Sequence, residues 1–169
     1  MKKVVIVGGV AGGASTAARI RRLDEQAQIV MFERGPHVSF SNCSLPFYLG
    51  GVVPNSKRLL MMTPDSFEQK HNIDARVNSE VIAINRDEQY VHVKNTVTGD
   101  VTTERYDTLV LSPGASPIVP AIEGNDLPHV FTVRNVVDIE KLHNAIVENG
   151  AANIAVIGGG FIGVEVAEN

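Results

Sequence analysis

Two glycine-rich turns, each preceded by a short β-branched run and followed by a small-residue helical stretch, constrain this chain more than any other feature. The first is Val5-Ile6-Val7-Gly8-Gly9-Val10-Ala11-Gly12-Gly13, and the second is Val156-Ile157-Gly158-Gly159-Gly160-Phe161-Ile162-Gly163. Laying residues 3–20 over 153–169 gives strand, glycine turn and helix twice. That order opens a βαβ unit, so the pattern implies an α/β fold with a parallel sheet. Glycine in such a turn lets the backbone approach a pyrophosphate, and the helix N-terminus offers unpaired N–H groups at the positive end of its dipole. The second turn carries Gly-x-Gly-x-x-Gly at 158, 160 and 163, whereas the first has Val10 in the middle position. Glu33 offsets that departure. It ends a predicted second strand, residues 29–33, where a carboxylate accepts the hydroxyls of a ribose.

Between the turns lies the single cysteine, Cys43, in Ser39-Phe40-Ser41-Asn42-Cys43-Ser44-Leu45-Pro46-Phe47. One cysteine excludes an internal disulfide framework and fits a reducing compartment. A lone cysteine reads either as a small buried hydrophobe or as a nucleophile. The polar neighbours, and a short helix expected just after Cys43, favour the nucleophile, because helix N-termini stabilise thiolates. The five histidines show no metal-ligand spacing, so no metal site is expected.

A net charge of −4 gives no basic footprint for nucleic acid. No stretch approaches the ~20 apolar residues of a membrane span. The start, Met1-Lys2-Lys3-Val4-Val5-Ile6-Val7, mimics a signal peptide until Gly8 ends the apolar run, so it reads as a buried strand. The expected location is the cytoplasm. The helix opening at Phe161 stops at Asn169 with no following strand, which points to an excerpt of a longer chain.

The remaining pattern predicts a helix over about 11–23 and another over 64–71, with Thr63 as cap and Pro64 at its first position. Residues 80–85, 89–94 and 101–106 alternate as a three-stranded antiparallel meander, and 108–111 reads as a buried strand. Pro113, Pro117, Pro120 and Pro128 mark a connector, followed by a helix over 136–147 that Gly150 closes and a strand over 154–157. The expected division is 1–112, a nucleotide-binding domain, 113–150, a connector and helix, and 151–169, the start of a second nucleotide-binding domain.

Several stretches together resemble the single-cysteine branch of the pyridine nucleotide-disulfide oxidoreductases, most closely its coenzyme A disulfide reductases. They are Val10-Ala11-Gly12-Gly13-Ala14, Ile20-Arg21-Arg22-Leu23-Asp24, the Ser-Phe-x-Asn-Cys-x-Leu-Pro block, Glu80-Val81-Ile82-Ala83-Ile84-Asn85, Leu111-Ser112-Pro113-Gly114-Ala115 and Thr132-Val133-Arg134-Asn135. The two-cysteine branch carries Cys-x4-Cys, and here Tyr48 takes the second position. The resemblance implies a Rossmann-like FAD-binding domain, with FAD held at Gly8, Gly9, Val10, Ala11, Gly12 and Gly13. Glu33 falls on the ribose, Arg34 near the adenosine and Val81 beside the adenine. Asn42, Ser112, Pro113, Gly114 and Arg134 complete the flavin set. Gly158, Gly160 and Gly163 are assigned to NADH or NADPH. Cys43 is the redox residue, and Ser15, Arg19, Arg22, Ser39 and Asn42 face a small-molecule disulfide such as coenzyme A disulfide.

Arg19 and Arg22 share a helix face and suit a phosphorylated ligand. A solvated basic helix end is the plainer reading of both, as a connector surface charge is of Arg134. The full-length family member is expected to be a homodimer. Rival activities keep the same residues: a per- or polysulfide reductase, or an NADH peroxidase or oxidase cycling through a sulfenic acid, whose first turn carries a histidine where Val10 stands. The non-catalytic rival is an inactive flavin-binding fragment.

Overall fold

The computed structural model describes residues 2–151 and 153–169. The chain forms two compact units, Met1–Phe40 with Leu60–Gly114 and Ser41–Leu59 with Ala115–Asn169.

In the first unit, β1 (Lys3–Val7), β2 (Gln28–Phe32), β3 (Asp74–Arg76) and β7 (Thr108–Leu111) form a parallel sheet in the order β3-β2-β1-β7. The two-residue side-chain period sorts its apolar run onto two faces. Val4, Ile6, Ile29 and Met31 pack under α1 (Ala11–Leu23) and α3 (Pro64–His71), through Ala14, Ala17 and Phe67. Val5, Val30 and Phe32 point the other way, onto Val91, Val93 and Tyr106 of the second sheet's region. That sheet is the antiparallel meander β4 (Ser79–Asn85), β5 (Tyr90–Asn95) and β6 (Val101–Arg105). A helix layer, a parallel sheet and a meander therefore stack in that order. Burial on both faces is why β1 and β2 read as unbroken apolar runs.

α3 begins as expected: Thr63 Oγ1 accepts from Ser66 N, and Thr63 N donates to Ser66 Oγ, a reciprocal capping box. The C-terminal end of α1 is tied to α3 by Arg21, whose guanidinium donates to His71 O at 2.8 Å and Asn72 O at 2.7 Å. β3 was not expected, since Asp-Ala-Arg lacks a strand's apolar alternation; it is an edge strand pairing only with β2. β2 ends one residue earlier than expected, so Glu33 is the first residue beyond it, still bonded through its N–H to Arg76 O.

An ionic chain joins the two sheets of this unit: Glu104 on β6 takes Lys3 of β1 and Arg76 of β3, the latter at 2.7 Å. Arg76 also pairs with Asp74 at 2.6 Å. That hydrogen bond to Asp74, with Glu104 adding, raises the Arg76 pKa above the ordinary guanidinium value against the opposing effect of burial.

The second unit is helical. A 3-10 turn over Asn42–Ser44 leads into α2 (Leu45–Leu49), another 3-10 turn spans Ser56–Leu59, and α4 (Val136–Asn149) and α5 (Phe161–Glu168) follow. Leu45, Leu59, Val136 and Ile139 are buried. Asn135 caps α4 by accepting from Asp138 N at 3.0 Å, and Gly150, at φ +57, ends it as its position implied. The strand expected over 154–157 is absent: no described residue pairs with it, and a strand exists only through a neighbour's hydrogen bonds. No helix among the described residues is long and apolar enough to cross a membrane.

Glu104→Ala leaves Lys3 and Arg76 without their shared carboxylate. Urea unfolding of the whole protein should show a loss of about 1–3 kcal/mol, and an unchanged midpoint would reduce the network to surface decoration.

Candidate functional site

The first turn is shaped by contacts that leave no room for side chains. Gly8 has φ +96, and a Cβ there would lie 2.0 Å from Ser112 O. A Cβ on Gly13 would lie 1.7 Å from Gly8 O, so helix and turn touch through bare backbone. Val10 in the middle position has φ −98, so the left-handed backbone that favours glycine is not required there. α1 starts without a side-chain cap and without an acidic residue in its first turn, so its leading N–H groups remain available to an anion. Glu33 stands beside them, its Oε2 accepting from Gly9 N at 2.9 Å and its Oε1 from Gly35 N at 2.9 Å. Each carboxylate oxygen keeps a further lone pair. Ser112 borders the same turn: its N–H donates to Val7 O at 2.8 Å, and its Oγ lies 3.2 Å from a Cβ built on Gly12. Gly8, Gly9, Gly12, Gly13, Glu33 and Ser112 thus form one constellation, and it fits a dinucleotide's pyrophosphate and ribose.

The second turn reproduces the first. Gly158 has φ +111, and a Cβ on Gly163 would lie 2.0 Å from Gly158 O. Val164 N donates to Gly160 O at 3.0 Å, as Ala14 N does to Val10 O at 3.0 Å, and α5 likewise begins uncapped. The same anion-receiving geometry is therefore written twice in the chain.

The thiol lies in the second unit. Cys43 is exposed, on the 3-10 turn between Ser41, whose Oγ is 2.7 Å from Ser44 Oγ, and α2. Cys43 is therefore not packed as an apolar residue among the described residues. The helix after it is only five residues long, so its dipole is small. Asn42 Oδ1 is buried with no hydrogen-bond partner among the described residues, an acceptor waiting for a donor beside the thiol. Tyr48, at the position of the missing second cysteine, packs its ring against His143 with centroids 5.1 Å apart, and sequence reading gave no sign of this pairing.

The other candidates fall in separate places. Ser15, Arg19 and Arg22 are exposed along one face of α1, while Arg21 is committed to backbone carbonyls. Ser39 has φ +48, and its N–H donates to Gly9 O at 2.9 Å, which joins it to the first turn. Arg34 is exposed, and its carbonyl accepts from Thr96 Oγ1 at 3.4 Å. Val81 pairs with Val93 on an edge strand, next to a register shift at Ile82 that interrupts the ladder. Arg134, in the second unit, donates from Nε to Ala115 O at 2.9 Å. No cluster of metal-ligating side chains occurs among the described residues.

A parallel sheet whose first strand opens into an uncapped glycine turn, with a carboxylate past the neighbouring strand, defines a dinucleotide-binding α/β protein. The chain belongs to the pyridine nucleotide-disulphide oxidoreductase family, whose model matches residues 2–169. It is 44% identical over its whole length to the coenzyme A disulfide reductase of Staphylococcus epidermidis, of which it spans 38%. Among solved structures, it is similar to reduced CoADR-RHD from Bacillus anthracis, with TM-score 0.95 and 49% identity over 99% of this chain and 30% of that one. It is also similar to a NAD-dependent persulfide reductase from A. fulgidus, with TM-score 0.93 and 36% identity over 98% of this chain and 31% of that one.

Gly9→Ala would set a Cβ 2.8 Å from Val38 Cγ1 and 3.0 Å from Glu33 Cβ. The variant should cost about 1–3 kcal/mol and lower dinucleotide binding at the first turn. Calorimetry checks both, and an unchanged transition would mean that Val38 and Glu33 yield to the methyl group freely.

Proposed function

We propose that this chain is the N-terminal part of an FAD-containing, NAD(P)H-dependent reductase of a low-molecular-weight disulfide, with coenzyme A disulfide the leading substrate. The observation that carries the reading is an exposed, solitary Cys43 in a chain with two copies of a dinucleotide turn. The whole family member extends beyond this segment, since the chain spans 38% of its curated relatives. In this reading 1–112 is the FAD-binding domain, 113–150 the connector and 151–169 the start of the NAD(P)H-binding domain.

The first turn and Glu33 hold the FAD diphosphate and ribose, with Arg34 and Val81 toward the adenosine and Asn42, Ser112, Pro113, Gly114 and Arg134 completing the set. When bound, the flavin supplies two-electron transfer between the pyridine nucleotide and sulfur. The chain's own chemistry begins at Cys43. As a thiolate its Sγ attacks one sulfur of the disulfide, which forms a Cys43 mixed disulfide and expels the other half as a thiolate. Two electrons from NAD(P)H and one proton then release the second half as a thiol and regenerate the Cys43 thiolate. With Tyr48 where a second cysteine would stand, Cys43 has no resolving thiol within this chain, so the mixed disulfide is the species that must be reduced.

Ser15, Arg19 and Arg22 supply an exposed face with two cationic forks, suited to the phosphates of coenzyme A. Ser39 and Asn42 flank the thiol in sequence and complete the proposed substrate set. Persulfide reduction is the second reading, favoured by the likeness to the A. fulgidus enzyme. The peroxidase reading is weaker, because Val10 offers no imidazole in the first turn.

In the full-length protein, Cys43→Ser should abolish disulfide reduction while flavin absorbance stays unchanged; turnover retained by that variant excludes the mechanism. Arg22→Ala should raise KM for coenzyme A disulfide about tenfold, the size of a charge-assisted contact. Turnover of inorganic polysulfide, which has no phosphates, should move much less. Steady-state kinetics on both substrates separate the two readings: no change on either returns these arginines to solvated surface and puts persulfide first.

A further inference from the structure

The Glu33 carboxylate is already engaged by the chain itself. Its two oxygens each hold one backbone amide, Gly9 N and Gly35 N, both at 2.9 Å. The residue is also fixed through its own backbone, its N–H donating to Arg76 O at 2.9 Å and its carbonyl accepting from Ser79 N at 2.8 Å. The Gly9 peptide is held from the other side as well, because Gly9 O accepts from Ser39 N at 2.9 Å and Ser39 takes φ +48. A carboxylate and a left-handed residue therefore grip one glycine between them. Gly9 shows no positive φ, and what demands glycine there is space taken by Glu33 and Val38.

The second turn reaches a similar conformation, with Gly158 at φ +111 and Gly163 against Gly158 O. What Glu33 adds at the first turn is a tether between the Gly9 amide, the end of β2 and the loop that runs through Gly35 to Ser39. We infer that Glu33 is a positioning residue for the first turn, fixing the Gly9 peptide before any ligand arrives, in addition to the ribose contact that rests on the proposed flavin reading. Immobilising that peptide in advance removes an ordering cost from dinucleotide binding.

The test uses the full-length protein with wild-type Glu33, Glu33→Gln and Glu33→Ala. In the flavin-free form, amide exchange at Gly9 and Gly35 should accelerate about tenfold or more in Glu33→Ala, as expected for loss of a hydrogen bond to a charged group. Exchange in the core of β1 and α1 should stay the same. Glu33→Gln keeps one acceptor oxygen and should restore protection at one of the two glycines only. The second arm compares FAD with an analogue lacking both hydroxyls of the adenosine ribose, in the manner of a double-mutant cycle. A positioning role predicts that Glu33→Ala still weakens the analogue several-fold. Unchanged exchange at both glycines, or an affinity loss that vanishes entirely with the analogue, overturns the proposal and leaves Glu33 a ribose ligand alone. Failure of the wild-type protein to bind FAD would instead overturn the flavin reading, with the exchange arm still deciding the role of Glu33.

Discussion

A carbonyl oxygen lying where a side chain would begin sets the geometry of the first unit. Gly8 O occupies the space of a Cβ on Gly13, and Ser112 O occupies that of a Cβ on Gly8. Strand β1, helix α1 and the end of β7 can converge this closely only if all three meet as bare backbone. Any methyl group inserted there separates the helix from the sheet, and with it the N–H groups that the helix presents. The apolar layers below depend on the same convergence, because Ala14 and Ala17 reach Ile6 only when α1 lies against the sheet. Recurrence of this contact at Gly158 and Gly163 shows that a short stretch of chain suffices to form it.

Much of this was legible because glycine spacing, proline at a helix start and two-residue alternation are local rules. The helix over 64–71 follows from Thr63 and Pro64, and the meander from its alternation and turns. What escaped sequence reading depended on distant partners. β3 is a strand only because β2 offers it hydrogen bonds, and residues 154–157 are not one because none of the described residues does. Val10 departs from the first fingerprint, and its φ of −98 shows that no left-handed backbone is needed at that position. Conversely, Gly9 reads as one more flexible turn residue, and only its surroundings show that Val38 and Glu33 leave it no room for a side chain. Arg19, Arg21 and Arg22 could be sorted by helical spacing, but that Arg21 ties α1 to α3 is a tertiary fact.

Electrostatics divides the candidate residues into those already satisfied and those still open. The carboxylates of Glu33 and Glu104 are met by donors of the chain. The helix starts of α1 and α5 carry no side-chain cap, and the buried Asn42 Oδ1 has no partner among the described residues. A buried acceptor left unpaired costs more than an exposed one, so Asn42 is the more telling of these open groups.

The interleaving of the two units bears on how the protein is made. The segment carrying Cys43 packs with α4, yet about 90 residues of synthesis separate α2 from α4, a delay of about 5–20 s at ribosomal speed. The flanking pieces of the first unit are complete by Gly114, well before α4 emerges. Residues 41–59 therefore spend that interval without the helix they pack against. A nascent chain of this design presents its one thiol before the helix beside it has been made, so the redox state of the compartment meets the chain during translation and not only after it.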